Sequence, residues 1–397
     1  MGRIRGGWFQ GMVALLLLGA WVAANARWAQ RPGGENLAAL WAAARMVLFI
    51  PDGDPYGPVA AAYARLLARA SQPIPLLAPL YALSAVLPWM WLPSFTTMRL
   101  LALLAAQAAL VLSLAVWPAL TRWRPRAGIR VLFVLSPLLW PFVRWSLARG
   151  DGAAFALLIW VLVFAFLRYQ QDDFAGFALA LLWFDPLPHA LAALWVLIWA
   201  GSHGRWRVVR AFGITLAGLL ALAWWLRPQW WIGYLINVGR QVVSGVWPRF
   251  PVWLAERVPG LGPRFGWTAA LAGGLLLLVE MLRSWARDYP HLAWVTALSL
   301  SLAPLIGVPM DAITTATLGL FVWWLVWSLW DKHWAYGRVA VAPLAALWFG
   351  GITWWTWAQG PQSAISLAYL NALVQTVALY TVRDWALRAE SWTSWWA

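Results

Sequence analysis

Residues 76–93 read LLAPLYALSAVLPWMWLP, and the topology of the whole chain turns on whether this stretch crosses a membrane. It is apolar and close to the lower length limit for a spanning helix. Pro79 and Pro88 interrupt it, and proline inside a helix removes a backbone hydrogen bond. Charge decides the matter. If the stretch spans, Arg122, Arg124, Arg126 and Arg130 face outside, as do Arg205, Arg207 and Arg210. If it does not, both clusters are cytoplasmic, and that side holds 15 arginines together with Lys332, while the short external loops hold Arg144 and Arg149. The positive-inside rule selects the second arrangement. Residues 76–93 are therefore expected to form a non-spanning apolar hairpin or surface helix.

Composition supports the membrane reading. Of 397 residues, 63% are hydrophobic and 11% charged, against about half and about a quarter in soluble domains. The 37 tryptophans suit a bilayer interface. The net charge of +15 reflects topology rather than nucleic-acid binding, and the absence of cysteine excludes disulfides and thiolate metal sites. Apolar runs fall near 8–26, 97–120, 130–147, 153–168, 172–187, 188–202, 210–226, 266–283, 290–306, 311–330, 339–358 and 362–381. The expected fold class is an all-α polytopic membrane protein of about twelve transmembrane helices, with both termini cytoplasmic. The first run reads as a retained signal anchor. No repeat or linker divides the chain, so one membrane domain is expected, with a core over 1–210 and further helices over 211–397.

Two long loops, 27–96 and 227–265, then face the external side. The first holds Gly33-Gly34-Glu35-Asn36, a helical stretch to about Phe49, a turn at Pro51-Asp52-Gly53-Asp54-Pro55-Tyr56, and a second helical stretch near 59–70. The second holds Arg227, Arg240, Arg249, Arg257 and Arg264, interleaved with Trp230, Trp231, Tyr234, Trp247 and Trp253. Guanidinium forks suit phosphate oxygens, and aromatic faces suit prenyl tails or sugars. The same residues also suit headgroup snorkelling and an interfacial belt.

The acids are few. Asp172, Asp173, Asp288, Asp331, Asp384 and Glu390 fall beside basic residues near cytoplasmic turns and are expected to be solvated, whereas Glu280 is expected to pair with Arg283. Glu35, Asp52, Asp54, Asp151, Asp185 and Asp311 fall at external helix ends or loops. Such carboxylates cap helices or pair with arginines, and they are also the groups from which a general base for a hydroxyl would come. His189, four residues after Asp185, and the other three histidines form no metal pattern. No nucleotide-binding loop is present.

The order of these parts resembles the GT-C class of membrane glycosyltransferases, and within it the polyprenol-phosphate-mannose-dependent family, glycosyltransferase family 87. The resemblance rests on the first helix, the loop opening at Glu35, the Ala/aromatic helix Glu35-Asn36-Leu37-Ala38-Ala39-Leu40-Trp41, and the turn Gly53-Asp54-Pro55-Tyr56. It continues through the proline-led segment from Pro73 to Pro88, Arg99 at the head of the next helix, Arg149-Gly150-Asp151-Gly152, and Phe184-Asp185-Pro186-Leu187-Pro188. It covers roughly the first 210 residues, and the Gly-Asp-Pro-Tyr turn is its most specific part.

The resemblance implies an inverting enzyme at the outer face of the cytoplasmic membrane, part of the cell-envelope machinery. It would transfer a hexose, mannose by family, from a polyprenyl-phosphate donor to a lipid or glycan hydroxyl, with neither nucleotide, metal nor other cofactor. Glu35 would be the base, with Asp151 and Asp54 as further catalytic acids. Arg240, Arg227 and Arg249 would hold the donor phosphate, and Tyr234, Trp230 and Trp231 its lipid. Asp185, His189 and Tyr56 would lie near the acceptor. The family's leading aspartate aligns with Glu35 or Asn36, and Asp185 stands where a lysine is usual. A non-catalytic subunit or pseudoenzyme is therefore an alternative. A lipid-linked-glycan transporter is another, disfavoured by how few polar residues the spans carry.

Overall fold

The structure, a computed structural model, describes residues 2–50, 52–244, 247, 249–258, 260, 262–285, 289–309, 311–334, 336–359 and 363–387. Asp288 and Glu390, expected to be solvated, lie outside these residues. Every regular element among the described residues is helical. In order they are α1 (Gly2–Ala29), α2 (Glu35–Phe49), α3 (Pro58–Ala68), α4 (Phe95–Thr121), α5 (Ala127–Leu139), α6 (Pro141–Arg149), α7 (Ala153–Arg168), α8 (Asp172–Leu181) and α9 (Ala190–Ser202). There follow α10 (Trp206–Leu226), α11 (Trp230–Val243), α12 (Phe250–Arg257), α13 (Gly262–Ser284), α14 (Tyr289–Leu302), α15 (Ala312–His333), α16 (Gly337–Gln359), α17 (Ala364–Thr381) and α18 (Arg383–Leu387).

Seven stretches among the described residues are long and apolar enough to cross a membrane: α4, Ala127–Arg149, α10, Arg264–Ser284, α15, Val339–Gln359 and α17. Ala153–Arg168, Pro186–Ser202 and His291–Leu302 are apolar but shorter. The chain is thus an all-helical polytopic membrane protein. The expected run 172–187 divides, because α8 ends at Leu181 and passes through a 3-10 turn, Leu182–Phe184, into Asp185-Pro186. Within 76–93 the chain forms two 3-10 turns, Leu80–Ala85 and Leu87–Trp91. At about 2 Å per residue neither turn reaches across a hydrocarbon core of about 30 Å.

The chain divides into two compact units, one of residues 1–76, 83–108 and 147–151, the other of 77–82, 109–146 and 152–397. In the first, α2 and α3, the two helical stretches expected of the loop, pack against each other as a hairpin. Ala38, Ala39, Ala42 and Ala43 of α2 are buried, as are Ala60, Ala61, Ala64 and Ala68 of α3, and these small side chains let the two helices approach closely. Gly33 N donates to Ala68 O at 2.9 Å, which ties the start of α2 to the end of α3. Trp41 meets Phe95 edge to face at 6.4 Å. Between α1 and α4, Gln107 Nε2 donates to Asn25 Oδ1 at 2.7 Å, and Trp21 Nε1 donates to Gln107 Oε1 at 2.7 Å. Polar side chains that face an apolar solvent satisfy one another across helices in this way.

In the second unit α15 is the innermost span, with 83% of its apolar window buried. Indoles and amides hold its neighbours in register. Trp140 Nε1 donates to Ala316 O at 2.7 Å, Trp324 Nε1 to Ser136 Oγ at 3.0 Å, and Trp323 Nε1 to Asn371 Oδ1 at 3.0 Å. Asp311 caps α15, accepting from Ile313 N and Thr314 N. Glu280 is buried and pairs with Arg283 at 3.3 Å, as expected, and also with Arg383 at 3.0 Å.

Two acids depart from the expectation of solvation. Asp331 is buried and accepts from Trp123 Nε1 at 2.7 Å. Asp172 is largely covered and pairs with Arg205. Asp173 is exposed, as expected, and lies 3.7 Å from Arg210. At Asp331 and Asp172 the helices bring an indole and a guanidinium to the carboxylate, which offsets its desolvation.

Candidate functional site

In the first unit a buried arginine organises the backbone around Glu35. Arg99, 3% exposed, lies near the start of α4 and donates Nη1 to Ala29 O at 3.2 Å and to Arg31 O, and Nη2 to Ala148 O at 3.4 Å. The chain curls over this guanidinium at Gly33 (φ 128°) and Gly34 (φ 79°). A Cβ on Gly33 would stand 2.7 Å from Arg99 Nη2, and one on Gly34 would stand 2.9 Å from its Nε. Both positions therefore need glycine, for conformation and for space.

Glu35 follows as the first residue of α2, where the helix dipole favours negative charge. Its carboxylate is within electrostatic reach of Arg99. Its Oε2 is buried and has no hydrogen-bond partner among the described residues. Gly34 N donates to Ala148 O at 2.8 Å, and Gly150 packs so that a Cβ there would lie 3.0 Å from Leu37 Cβ. The backbone of Ala148 and Gly150 is thereby held against the first turn of α2, which brings the neighbouring Asp151 to the same end of that helix.

Asp54 and Tyr56 do not join them. Asp54 Oδ1 accepts from Tyr56 N at 2.9 Å and Gly57 N donates to Asp54 O at 3.2 Å, so Asp54 shapes the turn into α3. A Cβ on the neighbouring Gly53 would lie 2.7 Å from Met46 O, which places this turn at the far end of α2. Eleven residues of helix separate Met46 from Glu35, about 16 Å. Asp54 and Glu35 cannot serve one reacting centre. Asn36 is half-buried beside Glu35 in the same first turn.

The second unit gathers another set. Tyr81 OH donates to Trp183 O at 2.9 Å, and its ring meets Trp230 edge to face at 5.7 Å and Phe184 at 6.2 Å. Tyr234 lies one helical turn from Trp230, with ring centroids 6.2 Å apart. Asp185, exposed at the head of Asp185-Pro186, is within electrostatic reach of both tyrosine hydroxyls. The sequence alone does not mark Tyr81 as functional. Its signal was its place as a hydroxyl-bearing ring in the otherwise apolar stretch 76–93, a signal that only the packing makes meaningful. His189 is buried, and its Nδ1 accepts from Trp160 Nε1 at 3.2 Å. An indole can only donate, so Nδ1 carries no proton and His189 is engaged in packing.

Burial, and then the neighbouring Tyr234 and Asp185, push the Tyr81 hydroxyl well above the usual tyrosine range; burial and Asp185 do the same for Tyr234. The folded chain holds these protons more tightly than the unfolded chain. The associated stability is complete below the ordinary tyrosine pKa of about 10 and is lost as pH rises past it. Thermal melts should thus move down above about pH 10, and Tyr81→Phe should flatten that fall. A wild-type profile as flat as that of Tyr81→Phe would count against the cluster.

The external-loop arginines differ from one another. Arg227 is half-buried, whereas Arg240, Arg249, Arg257 and Arg264 are exposed. The Arg257 guanidinium lies 5.7 Å from the Trp253 ring centroid. On α11, Trp230 and Asn237 are buried, while Trp231, Ile232, Leu235 and Ile236 are exposed, as an interfacial helix requires. Among the described residues no group of three or more His, Asp or Glu could hold a metal ion. Comparison with family models, curated proteins and solved structures finds no match to this chain.

Proposed function

We propose that the protein is a membrane glycosyltransferase that moves a hexose, mannose on the family resemblance, from a polyprenyl-phosphate donor to a lipid or glycan hydroxyl at the external face. One observation carries the reading. Glu35 presents a buried carboxylate oxygen without a hydrogen-bond partner among the described residues, on a backbone fixed by Arg99, with Asp151 held beside the same helical turn. A general base needs a positioned carboxylate with capacity left to accept a proton. In the reaction the acceptor oxygen attacks the anomeric carbon, its proton passes to Glu35, and the bond to the donor phosphate breaks with polyprenyl phosphate leaving. Asp151 orients the acceptor. The family resemblance assigns the donor phosphate to Arg227, Arg240 and Arg249, and the prenyl chain to Trp230, Trp231 and Tyr234. Asp54 is left out of the chemistry, since it shapes its own turn. The test is transfer from a polyprenyl-phosphate hexose by the purified chain and by Glu35→Gln.

A second reading is favoured by Arg99: its charge offsets that of Glu35, so the pair also suits a non-catalytic subunit. The proposed topology of twelve crossings in the cytoplasmic membrane, with both termini inside, puts residues 76–93 on the external surface. Single cysteines at Ser71 and Arg124, both exposed, should then label from opposite sides of the membrane. Labelling of both from one side would overturn this topology and exchange the faces of every later helix.

A further inference from the structure

We infer that the turn between α4 and α5 is a binding site for the phosphate of an anionic phospholipid headgroup. The inference is independent of the glycosyltransferase reading. It begins with the alternation in Arg122-Trp123-Arg124-Pro125-Arg126. Trp123 is 2% exposed and donates to Asp331, and Pro125 is buried, while Arg122, Arg124 and Arg126 are exposed. The buried residues anchor the turn, and the three arginines stand out from it. Arg130, one helical turn on, is exposed too, and its guanidinium donates to Pro125 O at 3.3 Å. Ala127 and Gly128 between them are exposed, and a Cβ on Gly128 would meet nothing within 4 Å.

More cations lie behind this comb. Arg168 Nη1 donates to Ala119 O at 3.1 Å and to Leu120 O, and Lys332 Nζ donates to Thr121 O at 2.9 Å. They cap the carbonyls at the end of α4 and complement its dipole. Arg168 and Arg122 are both within electrostatic reach of Lys332. The acid packed among them, Asp331, has one carboxylate oxygen engaged by Trp123. Like charges gathered so closely repel, and an anion relieves the repulsion.

The location identifies the anion. The five-residue turn joins two stretches long and apolar enough to cross a membrane, Phe95–Thr121 and Ala127–Arg149. A turn that short sits where hydrocarbon gives way to headgroups. Guanidinium forks match phosphate oxygens in pairs, which a lysine ammonium cannot do. Anionic leaflets attract such basic groups.

Native mass spectrometry of the detergent-solubilised full chain, titrated with phosphatidylglycerol and separately with phosphatidylcholine, tests the site. The wild type should retain phosphatidylglycerol in preference. Combined Arg122→Gln, Arg124→Gln, Arg126→Gln and Arg130→Gln should weaken that binding by about tenfold or more, and the four Arg→Lys changes should restore only part of it. Arg124→Gln with Arg126→Gln, both exposed, supplies the same comparison if the fourfold chain does not fold. Equal retention of the two lipids, or undiminished binding in the Gln chains, would overturn the proposal. Displacement of the lipid by inorganic phosphate alone would assign the site to a free anion instead.

Discussion

Glu35→Gln should lower hexose transfer by about 10²–10⁴-fold, the usual cost of a lost general base, while donor binding stays nearly unchanged. The substitution keeps the side chain's size and one oxygen but removes the proton acceptor. Arg99 continues to donate to the carbonyls of Ala29, Arg31 and Ala148, so the backbone around position 35 keeps its support. The opposing account makes Glu35 a counter-charge for Arg99. On that account Glu35→Gln lowers the thermal midpoint, and Arg99→Gln lowers it further by leaving the carbonyls unmet. Transfer rate and thermal midpoint therefore separate the two. Full transfer by Glu35→Gln would withdraw the catalytic role, and loss confined to Asp151→Asn would move it there. Asp54→Asn should disturb only the turn into α3, since Asp54 Oδ1 serves Tyr56 N.

Gly176→Ala should destabilise the second unit by about 1–3 kcal/mol, the range for overpacking a close contact. Gly176 lies on α8 where α10 crosses it. A Cβ there would fall on the carbonyl oxygen of Val208 and 2.8 Å from Phe212 N. Those neighbours are backbone, so relief requires the helices to part. Association of helices in lipid depends on such close approach, because burial of apolar surface supplies little drive there. Gly213 and Gly218 of α10 are the comparison, since a Cβ on either meets nothing within 4 Å. Alanine at those two positions should stabilise by about 0.5–1 kcal/mol through helix propensity. Thermal midpoints of the three variants decide the matter, and a neutral Gly176→Ala would contradict the observed crossing of α8 and α10.

Much of the structure was legible along the chain because its cause is local. The pair Gly33-Gly34 ahead of an Ala-rich stretch marked the start of α2, and the run to Phe49 and the Asp52-Gly53-Asp54-Pro55 turn marked its end; α2 spans Glu35–Phe49. Prolines in 76–93, together with the arginine distribution, argued against a crossing, and the segment forms only short 3-10 turns. The pairing of Glu280 with Arg283 followed from their three-residue spacing on a helix. Where spacing and solvent preference suffice, sequence suffices.

What sequence left open depends on long-range packing. Nothing near Asp331 in the chain announces Trp123, yet α4, α15 and the turn after α4 bring them within 2.7 Å and convert an expected solvated acid into a buried acceptor. Asp54 and Glu35 belong to one loop, but the length of α2 separates them. Tyr81, Asp185 and Tyr234, from three distant segments, come within electrostatic reach. Hydropathy and charge are properties of a residue and its near neighbours, so the chain alone determined the membrane class, the helical content and the two helices α2 and α3 with the turn between them. Which carboxylate retains an unsatisfied oxygen depends on whether a donor from elsewhere in the chain reaches it, and only the tertiary structure decided that.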